Sequence, residues 1–163
     1  MGSREKMALF NTLISLIGPL DDVENVLDCY CGSGALGLEA LSRGAKNAVF
    51  VDNNVAALQS VKNNIDSLGV YDRTEVIKTD VAKISLTSAT WKKYNLILVD
   101  PPYDKFQEYT SNLAVLSDSL TPNGVLVLSH PDSINPASIF SNLELISTKS
   151  YAAANLSFFR RTA

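Results

Sequence analysis

The tetrapeptide Asp-Pro-Pro-Tyr follows an apolar run at residues 95–99, which predicts a strand covered on both faces. Its prolines donate no backbone hydrogen bond and hold the chain rigid, so the Asp100 carboxylate and the Pro101 carbonyl remain free acceptors. An amino group conjugated to an aromatic ring is a poor nucleophile, because its lone pair is delocalised. Two acceptors on its N–H bonds would favour a pyramidal nitrogen, while an aromatic side chain stacks on the ring. The candidate catalytic residues are Asp100, Pro101, Pro102 and Tyr103.

A glycine-rich segment, VLDCYCGSGALG at 26–37, predicts a strand, a turn and the start of a helix. Gly32, Gly34 and Gly37 fit the G-x-G-x-x-G pattern, and Asp52 follows 20 residues after Gly32, at the end of the next strand. Glycines let the backbone approach a ligand closely, and an acid at that position accepts hydrogen bonds from ribose hydroxyls. Two cofactors fit this pattern, a nicotinamide dinucleotide and S-adenosylmethionine.

Two further acids favour S-adenosylmethionine. Asp28 would face a pyrophosphate unfavourably but would attract an ammonium group, although it could instead order the loop by accepting hydrogen bonds from its amides. Asp80 follows the third strand and can accept a hydrogen bond from an adenine amino group, although a lone Asp there is commonly a helix cap. Open α/β sheets bind ligands at the carboxyl ends of their strands. The expected cofactor-binding residues are Asp28, Cys31, Gly32, Ser33, Gly34, Asp52, Asn53, Asp80 and Val81.

The rest of the chain alternates short apolar runs with segments of helical period, which is typical of a parallel α/β sheet. Helices are predicted at 6–17, 35–43, 55–68 and 106–120. Strands are predicted at 25–30, 48–51, 75–79, 95–99 and 125–128, with a turn at 121–124. Two more strands, 143–148 and 156–160, flank the alanines at 152–154 and predict an antiparallel pair at one edge.

Composition predicts one globular domain over residues 1–163, with 46% hydrophobic and 19% charged residues. We interpret residues 1–3 as a cloning remnant. No apolar run approaches the roughly 20 residues that span a bilayer, and no secretory pattern begins the chain, so we expect a cytoplasmic protein without membrane contact. Cys29 and Cys31 lie too close for an ordinary disulfide and lack the further ligands of a zinc site, which predicts reduced thiols and no metal.

The net charge of −3 argues against tight unaided binding to naked nucleic acid. Two basic pairs interrupt this acidic balance, at 92–93 and 160–161. Each pair by itself predicts a solvated face in preference to a binding site.

Together these residues resemble the class I S-adenosylmethionine-dependent methyltransferases that carry a [D/N]PP[Y/F] motif. More narrowly, GSGALGLEALSRGA at 32–45, VFVDNN at 49–54 and ILVDPPY at 97–103 are similar to the bacterial RsmD family of 16S ribosomal RNA guanine-N2 methyltransferases. The resemblance covers nearly the whole chain from residue 5. It implies a Rossmann-like three-layer α/β sandwich, with a seven-stranded, mostly parallel sheet whose last strand is antiparallel. It also implies a monomer that uses S-adenosylmethionine and acts on ribosomal RNA within the small subunit.

The chain departs from that family in three ways. The β-hairpin and Arg-Pro-Thr segment that usually precede the first helix are missing. Tyr151 is followed by alanines where the family tends to carry Gly and then Thr or Ser, and the balance of charge is acidic. In the family the substrate is presented within a ribosomal particle, which relaxes the demand for a basic surface. Glu39 and Arg43 belong to the family stretch, but their i,i+4 spacing predicts a helix-face ion pair.

Three other functions remain open at this point. A nicotinamide-dependent oxidoreductase explains the glycine loop and Asp52, but it leaves the tetrapeptide without a role and lacks an obvious proton donor. His130, the single histidine, is expected in a loop or on the substrate side, with no assigned role. A methyltransferase acting on adenine N6 in DNA, or on a protein amide, would use the same motif. The third alternative is a non-catalytic domain that binds a cofactor or RNA.

Overall fold

The computed structural model describes residues 1–86, 93–151 and 154–162. Its strands are β1 Asn25–Cys29, β2 Asn47–Asp52, β3 Thr74–Lys78, β4 Tyr94–Val99, β5 Leu120–His130, β6 Glu144–Tyr151 and β7 Ala154–Arg160. Its α-helices over the described ranges are α1 Ser3–Ile17, α2 Ala35–Ser42, α3 Val55–Leu68 and α4 Phe106–Leu113. Short 3-10 turns join these elements, among them Tyr103–Lys105 and Ala114–Ser119.

The seven strands form one sheet in the order β3-β2-β1-β4-β5-β7-β6. The first five strands pair in parallel, whereas β7 runs antiparallel to both β5 and β6. The mostly parallel sheet with an antiparallel last strand, and the antiparallel pair at its edge, are therefore confirmed. Cys29 pairs with Val51 on one side and with Val99 on the other, so three neighbouring strands end level. Residues that follow these ends share one edge of the sheet.

Apolar side chains cover both faces of the sheet and make three layers. Helices α1, α2 and α3 pack on one face in a cluster that includes Phe10, Val61 and the strand residue Phe50. On the other face, Phe106 and Leu113 of α4 pack against the residues of the central strands. Strands buried on both faces lose water from every apolar side chain, which is why they appear in the sequence as unbroken apolar runs.

The predicted helix at 106–120 is wrong in its second half, because α4 ends at Leu113 and a 3-10 turn, Ala114–Ser119, follows it. The predicted turn at 121–124 is also wrong, since β5 runs through it. Here β5 carries extra residues, with Tyr94 opposite Leu120 and Leu96 opposite Val125. Hydrogen bonds between this bulge and Arg161 satisfy the backbone and keep the segment in the sheet.

Several other boundaries differ by a few residues. Helix α1 begins at Ser3, within the segment interpreted as a cloning remnant, and β1 ends at Cys29 because Tyr30 adopts a left-handed conformation with φ of 56°. Residues 152–153 of the alanine segment and residue 92 of the first basic pair lie outside the described residues. Within the described ranges, no helix combines the length and apolar character needed to cross a membrane.

Candidate active site

The loop between β1 and α2 is turned by left-handed residues, with φ of 55° at Gly32 and 83° at Gly34. The Gly34 amide donates to the Cys31 carbonyl at 2.8 Å, which closes the turn. A Cβ atom added at Gly34 would lie 2.4 Å from Val61 Cγ2 and 3.2 Å from Phe50 Cε1, whereas one added at Gly32 would meet nothing within 4 Å. Gly34 is therefore required by packing against β2 and α3, and Gly32 keeps an open approach for a ligand.

Asp52 joins this loop to the end of β2. Its Oδ2 atom accepts a hydrogen bond from the Gly32 amide at 3.0 Å, and its Oδ1 atom accepts one from the Asn54 amide at 2.9 Å. The spacing of 20 residues between Gly32 and Asp52 is thus a direct contact in the fold. The carboxylate that is expected to bind a ribose also holds the loop in place.

Asp28 lies beneath the loop and is 1% exposed. Its Oδ2 atom accepts a hydrogen bond from the Gly37 amide at 2.9 Å, which is the loop-ordering role that the sequence left open. Burial raises the pKa of Asp28 well above its ordinary value, and the negative charges of Asp100 and Asp52 raise it further. Asp52 and Asp100 therefore place negative charge close to Asp28, where a positively charged ligand group would be favoured.

A cavity of about 740 Å³ opens beside the loop, and we call it the loop cavity. It is lined by Tyr30, Gly32, Asp52, Asn53, Asn54, Thr79, Asp80, Val81, Ala82, Lys83, Asp100, Pro102, Tyr109 and Asn112. The ends of β1, β2, β3 and β4 all contribute to it, as the position of ligand sites in open α/β sheets requires.

Five of the expected cofactor-binding residues line the loop cavity: Gly32, Asp52, Asn53, Asp80 and Val81. The other four do not: Asp28, Cys31, Ser33 and Gly34. Cys31 is buried as a free thiol whose pKa burial raises, and the Ser33 carbonyl accepts a hydrogen bond from Asn64. For these four residues, direct contact with a cofactor stays a prediction.

A second cavity of about 430 Å³ lies around the tetrapeptide, and we call it the motif cavity. It is lined by Met1, Gly2, Glu5, Asp100, Pro101, Pro102, Tyr103, Ser129 and Ala154. Asp100 and Pro102 line both cavities and form their common wall. A group bound in the loop cavity can therefore meet a group bound in the motif cavity at Asp100.

Tyr103 is fixed within the motif cavity by its hydroxyl group, which is hydrogen-bonded to the Ser129 hydroxyl of β5. Its ring makes an edge contact with Phe106, with the centroids 6.3 Å apart. Burial raises the pKa of Tyr103, and the carboxylates of Asp100 and Glu5 raise it further. The phenol is therefore neutral at physiological pH, and its ring is available for stacking.

Sequence reasoning missed several residues that line the cavities. In the loop cavity, the rings of Tyr30 and Tyr109 lie 5.2 Å apart and are tilted by 54°. Tyr109 and Asn112 lie three residues apart on α4, a spacing that places them on one helix face. Glu5 and Ser129 of the motif cavity carried no sequence signal, because only the folded chain brings α1 and β5 to the tetrapeptide.

His130 lies at the end of the fifth strand, but the expectation of a loop position is wrong, because it is the last residue of β5 and is 2% exposed. Its Nε2 atom lies 2.7 Å from the Ser157 hydroxyl, within the sheet. Arg160 and Arg161, for which a solvated face was predicted, are both partly exposed, and they donate hydrogen bonds to backbone carbonyls of their own chain. The predicted ion pair of α2 is confirmed, with Arg43 Nε 2.9 Å from Glu39 Oε2.

Comparison with known proteins places this chain in a family. The family model described as conserved hypothetical protein 95 matches residues 1–160. The putative rRNA methyltransferase YlbH of Bacillus subtilis is 29% identical over 154 residues, which cover 92% of this chain and 83% of the relative. The ribosomal RNA small subunit methyltransferase D of Escherichia coli K12 is 34% identical over 103 residues, 63% of this chain and 50% of the relative. The match to that enzyme therefore spans half of its length.

A solved structure, the putative methyltransferase yhhF from Escherichia coli, superposes with a TM-score of 0.78 and 26% identity, covering 99% of this chain and 86% of the other. The three-layer methyltransferase sandwich that the motifs imply is thereby confirmed. Because the family model spans nearly the whole sequence, the chain belongs to the conserved hypothetical protein 95 family, and its resemblance to the RsmD-type methyltransferases is confirmed.

Proposed function

We propose that this protein is an S-adenosylmethionine-dependent methyltransferase that modifies the exocyclic N2 amine of a guanine in small-subunit ribosomal RNA. One observation carries this proposal: the loop cavity and the motif cavity share Asp100 and Pro102 as a common wall. A cofactor on one side and a base on the other would meet at the acceptors of the tetrapeptide. The relatives named as ribosomal RNA methyltransferases support the choice of RNA as substrate.

The residues at the loop cavity fit S-adenosylmethionine in charge. Asp52 and Asp80 lie at the ends of β2 and β3, where carboxylates accept hydrogen bonds from ribose hydroxyls and from an adenine amino group. The carboxylates of Asp52 and Asp100 raise the pKa of the buried Asp28, so negative charge lies close to it, which favours a ligand that carries positive charge. A nicotinamide dinucleotide would bring the negative charge of its pyrophosphate to the same acids.

Within this proposal, the chain positions a base amine. Asp100 and the Pro101 carbonyl accept hydrogen bonds from its two N–H groups. Tyr103 stacks on the ring, a contact worth about 1–3 kcal/mol in nucleic-acid complexes. The hydrogen bond between Tyr103 and Ser129 holds the hydroxyl end of that ring in place. When bound, the cofactor supplies a methyl group that is already activated, so the contribution of the protein is mainly orientation.

Methyl transfer from labelled S-adenosylmethionine tests the proposal, with three substrates in parallel: 30S particles that lack the modification, naked ribosomal RNA and duplex DNA. We expect transfer to 30S particles, and we expect digestion of their RNA to give N2-methylguanosine by mass spectrometry. Methylated adenine from DNA would contradict the proposal and support the alternative N6 enzyme. In a parallel titration, S-adenosylhomocysteine should raise the melting temperature, and NAD should not.

The Asp100→Asn variant provides the internal test. It exchanges one carboxylate oxygen for an amide nitrogen, and the misplaced amine should lower kcat by about 10²-fold or more. Asp104→Asn is the matched control, because Asp104 is exposed, lies four residues further on and lines neither cavity. Equal activity of the two variants would contradict the role of Asp100.

A further inference from the structure

The motif cavity contains a second carboxylate that the proposed reaction does not use. Glu5 lies in the first turn of α1 and lines the cavity together with Asp100 and Tyr103. The carboxylates of Asp100 and Glu5 both raise the pKa of Tyr103, so both lie close to its hydroxyl group. None of the described residues that line the motif cavity is a lysine or an arginine. The cavity is therefore equipped with acceptors and suits a ligand edge that presents several donors.

Asp100 lies at the wall that the motif cavity shares with the loop cavity. Within the proposed function, this wall is where the base amine is held. Glu5 is then left to face the atom of the base that neighbours this amine.

The bases differ at that neighbouring atom. Guanine carries an N1–H donor beside its 2-amino group, whereas adenine has the bare N1 acceptor beside its 6-amino group and cytosine has the bare N3 acceptor beside its 4-amino group. An ionised carboxylate only accepts hydrogen bonds. It can therefore bind the N1–H group of guanine, whereas it would face a lone pair in adenine and in cytosine. Among the common bases with an exocyclic amine, guanine alone matches two adjacent carboxylates.

We propose that Glu5 selects guanine by accepting the N1–H hydrogen bond while Asp100 and Pro101 hold the 2-amino group. This inference rests on the proposed function and names the residue that determines its base specificity. A site built to hydrogen-bond a donor rejects an analogue without it, because the polar group of the protein is left unpaired. Glu5 is partly exposed, so solvent weakens that penalty, and we expect discrimination of about 10- to 100-fold.

Glu5 also has a structural role that the test must separate from selection. It is the acidic residue in the first turn of α1, where the helix dipole favours negative charge. A Cβ added at the cap residue Gly2 would lie 2.7 Å from Glu5 Oε2, so the carboxylate rests against the start of its own helix. Loss of that interaction would lower stability and would affect every substrate equally.

The experiment compares two bases that differ next to the amine. The nucleotide found methylated in 30S particles is replaced, in reassembled particles, by 2-aminopurine, which keeps the 2-amino group but has a bare N1. The measured quantity is the ratio of kcat/KM on guanine to that on 2-aminopurine. Because 2-aminopurine also lacks the C6 oxygen of guanine, the role of Glu5 is measured by the change in this ratio between variants. Relative to the wild-type protein, Glu5→Ala should lower the ratio about 10- to 100-fold, and Glu5→Gln should lower it less because its amide oxygen still accepts the N1–H bond.

Asp104→Asn is again the control, since it removes a nearby exposed charge without touching the cavity and should leave the ratio unchanged. An unchanged ratio in Glu5→Ala, including an equal loss on both bases, overturns the role of Glu5. If Glu5→Ala does not fold, as judged by circular dichroism, the ratio of Glu5→Gln decides in the same way. No transfer to guanine by the wild-type protein overturns the proposed function itself. If Asp100→Asn abolishes methyl transfer but Glu5→Ala still prefers guanine to 2-aminopurine, only this inference is overturned.

Discussion

Replacing Gly34 by alanine should destabilise the protein far more than the same change at Gly69. Both residues are left-handed, with φ of 83° at Gly34 and 68° at Gly69, and both cap a helix. A side chain in this conformation costs about 1–2 kcal/mol. At Gly69 an added Cβ meets nothing within 4 Å, so we expect only that cost.

At Gly34 the same atom would lie 2.4 Å from Val61 Cγ2 and 3.2 Å from Phe50 Cε1, and both neighbours are fully buried. Overpacking of a core costs about 1–3 kcal/mol in addition. The expected loss of unfolding free energy is therefore about 2–5 kcal/mol for Gly34→Ala and about 1–2 kcal/mol for Gly69→Ala. In a chain of this size, each kcal/mol corresponds to about 2–4 °C in melting temperature.

Urea unfolding followed by circular dichroism measures both losses. Gly32→Ala is a second control in the same loop, since its Cβ would also meet nothing within 4 Å, and it should resemble Gly69→Ala in stability. Val61→Ala removes the clashing methyl group. The double variant with Gly34→Ala should therefore lose less unfolding free energy than the sum of the two single losses. Equal losses at Gly34 and Gly69, or strict additivity with Val61→Ala, would refute the packing explanation.

Three further substitutions or titrations test the charges of the site. The raised pKa of Asp28 means that the folded protein binds more protons than the unfolded chain above about pH 4, so its stability falls as pH rises from there. Asp28→Asn should remove that decline in urea unfolding between pH 4 and 8, and it should weaken S-adenosylhomocysteine binding in calorimetry. His130 has a pKa lowered by burial, so its imidazole NMR signals should titrate below pH 6.5, and its contribution to stability is lost as pH falls below that value. Asp52→Ala loses the bonds to Gly32 and Asn54 and should weaken S-adenosylhomocysteine binding about 10- to 100-fold by calorimetry, whereas Asp66→Ala on the exposed face of α3 should not.

The topology was predictable because parallel strands and their helices have different apolar periods. Strands such as Tyr94–Val99 are buried on both faces and appear as unbroken apolar runs. Helix α3 has its predicted bounds, and in the structure Asn54 caps it and Gly69 ends it. The long extent of β5 was not predictable. Pro122, Asn123 and Gly124 are turn formers by local preference, and only their pairing with Arg161 in the folded chain keeps them in the strand.

Some residues of the site could likewise be predicted from the local sequence, whereas others depend on tertiary packing. Gly32, Asp52 and Asp80 lie at or shortly after the carboxyl ends of strands, so their convergence could be inferred from parallel topology alone. Glu5 lies on a helix whose place against the tetrapeptide depends on how α1 packs on the sheet. Tyr109 lies on the helix of the opposite layer, and nothing in its spacing indicates that it meets Tyr30.

The geometry of the site is set by the register of the sheet. Cys29, Val51 and Val99 are level across three strands, which places Tyr30, Asp52 and Asp100 one residue beyond a common line. The positions of Asp52 and Asp100 relative to each other are thus fixed by strand pairing in the core. Since a one-residue slip would exchange the two faces of a strand, the buried apolar side chains of β1, β2 and β4 hold that register firmly. The bulge in β5 lies at the far end of that strand from His130, so its irregularity leaves the edge that carries the site intact.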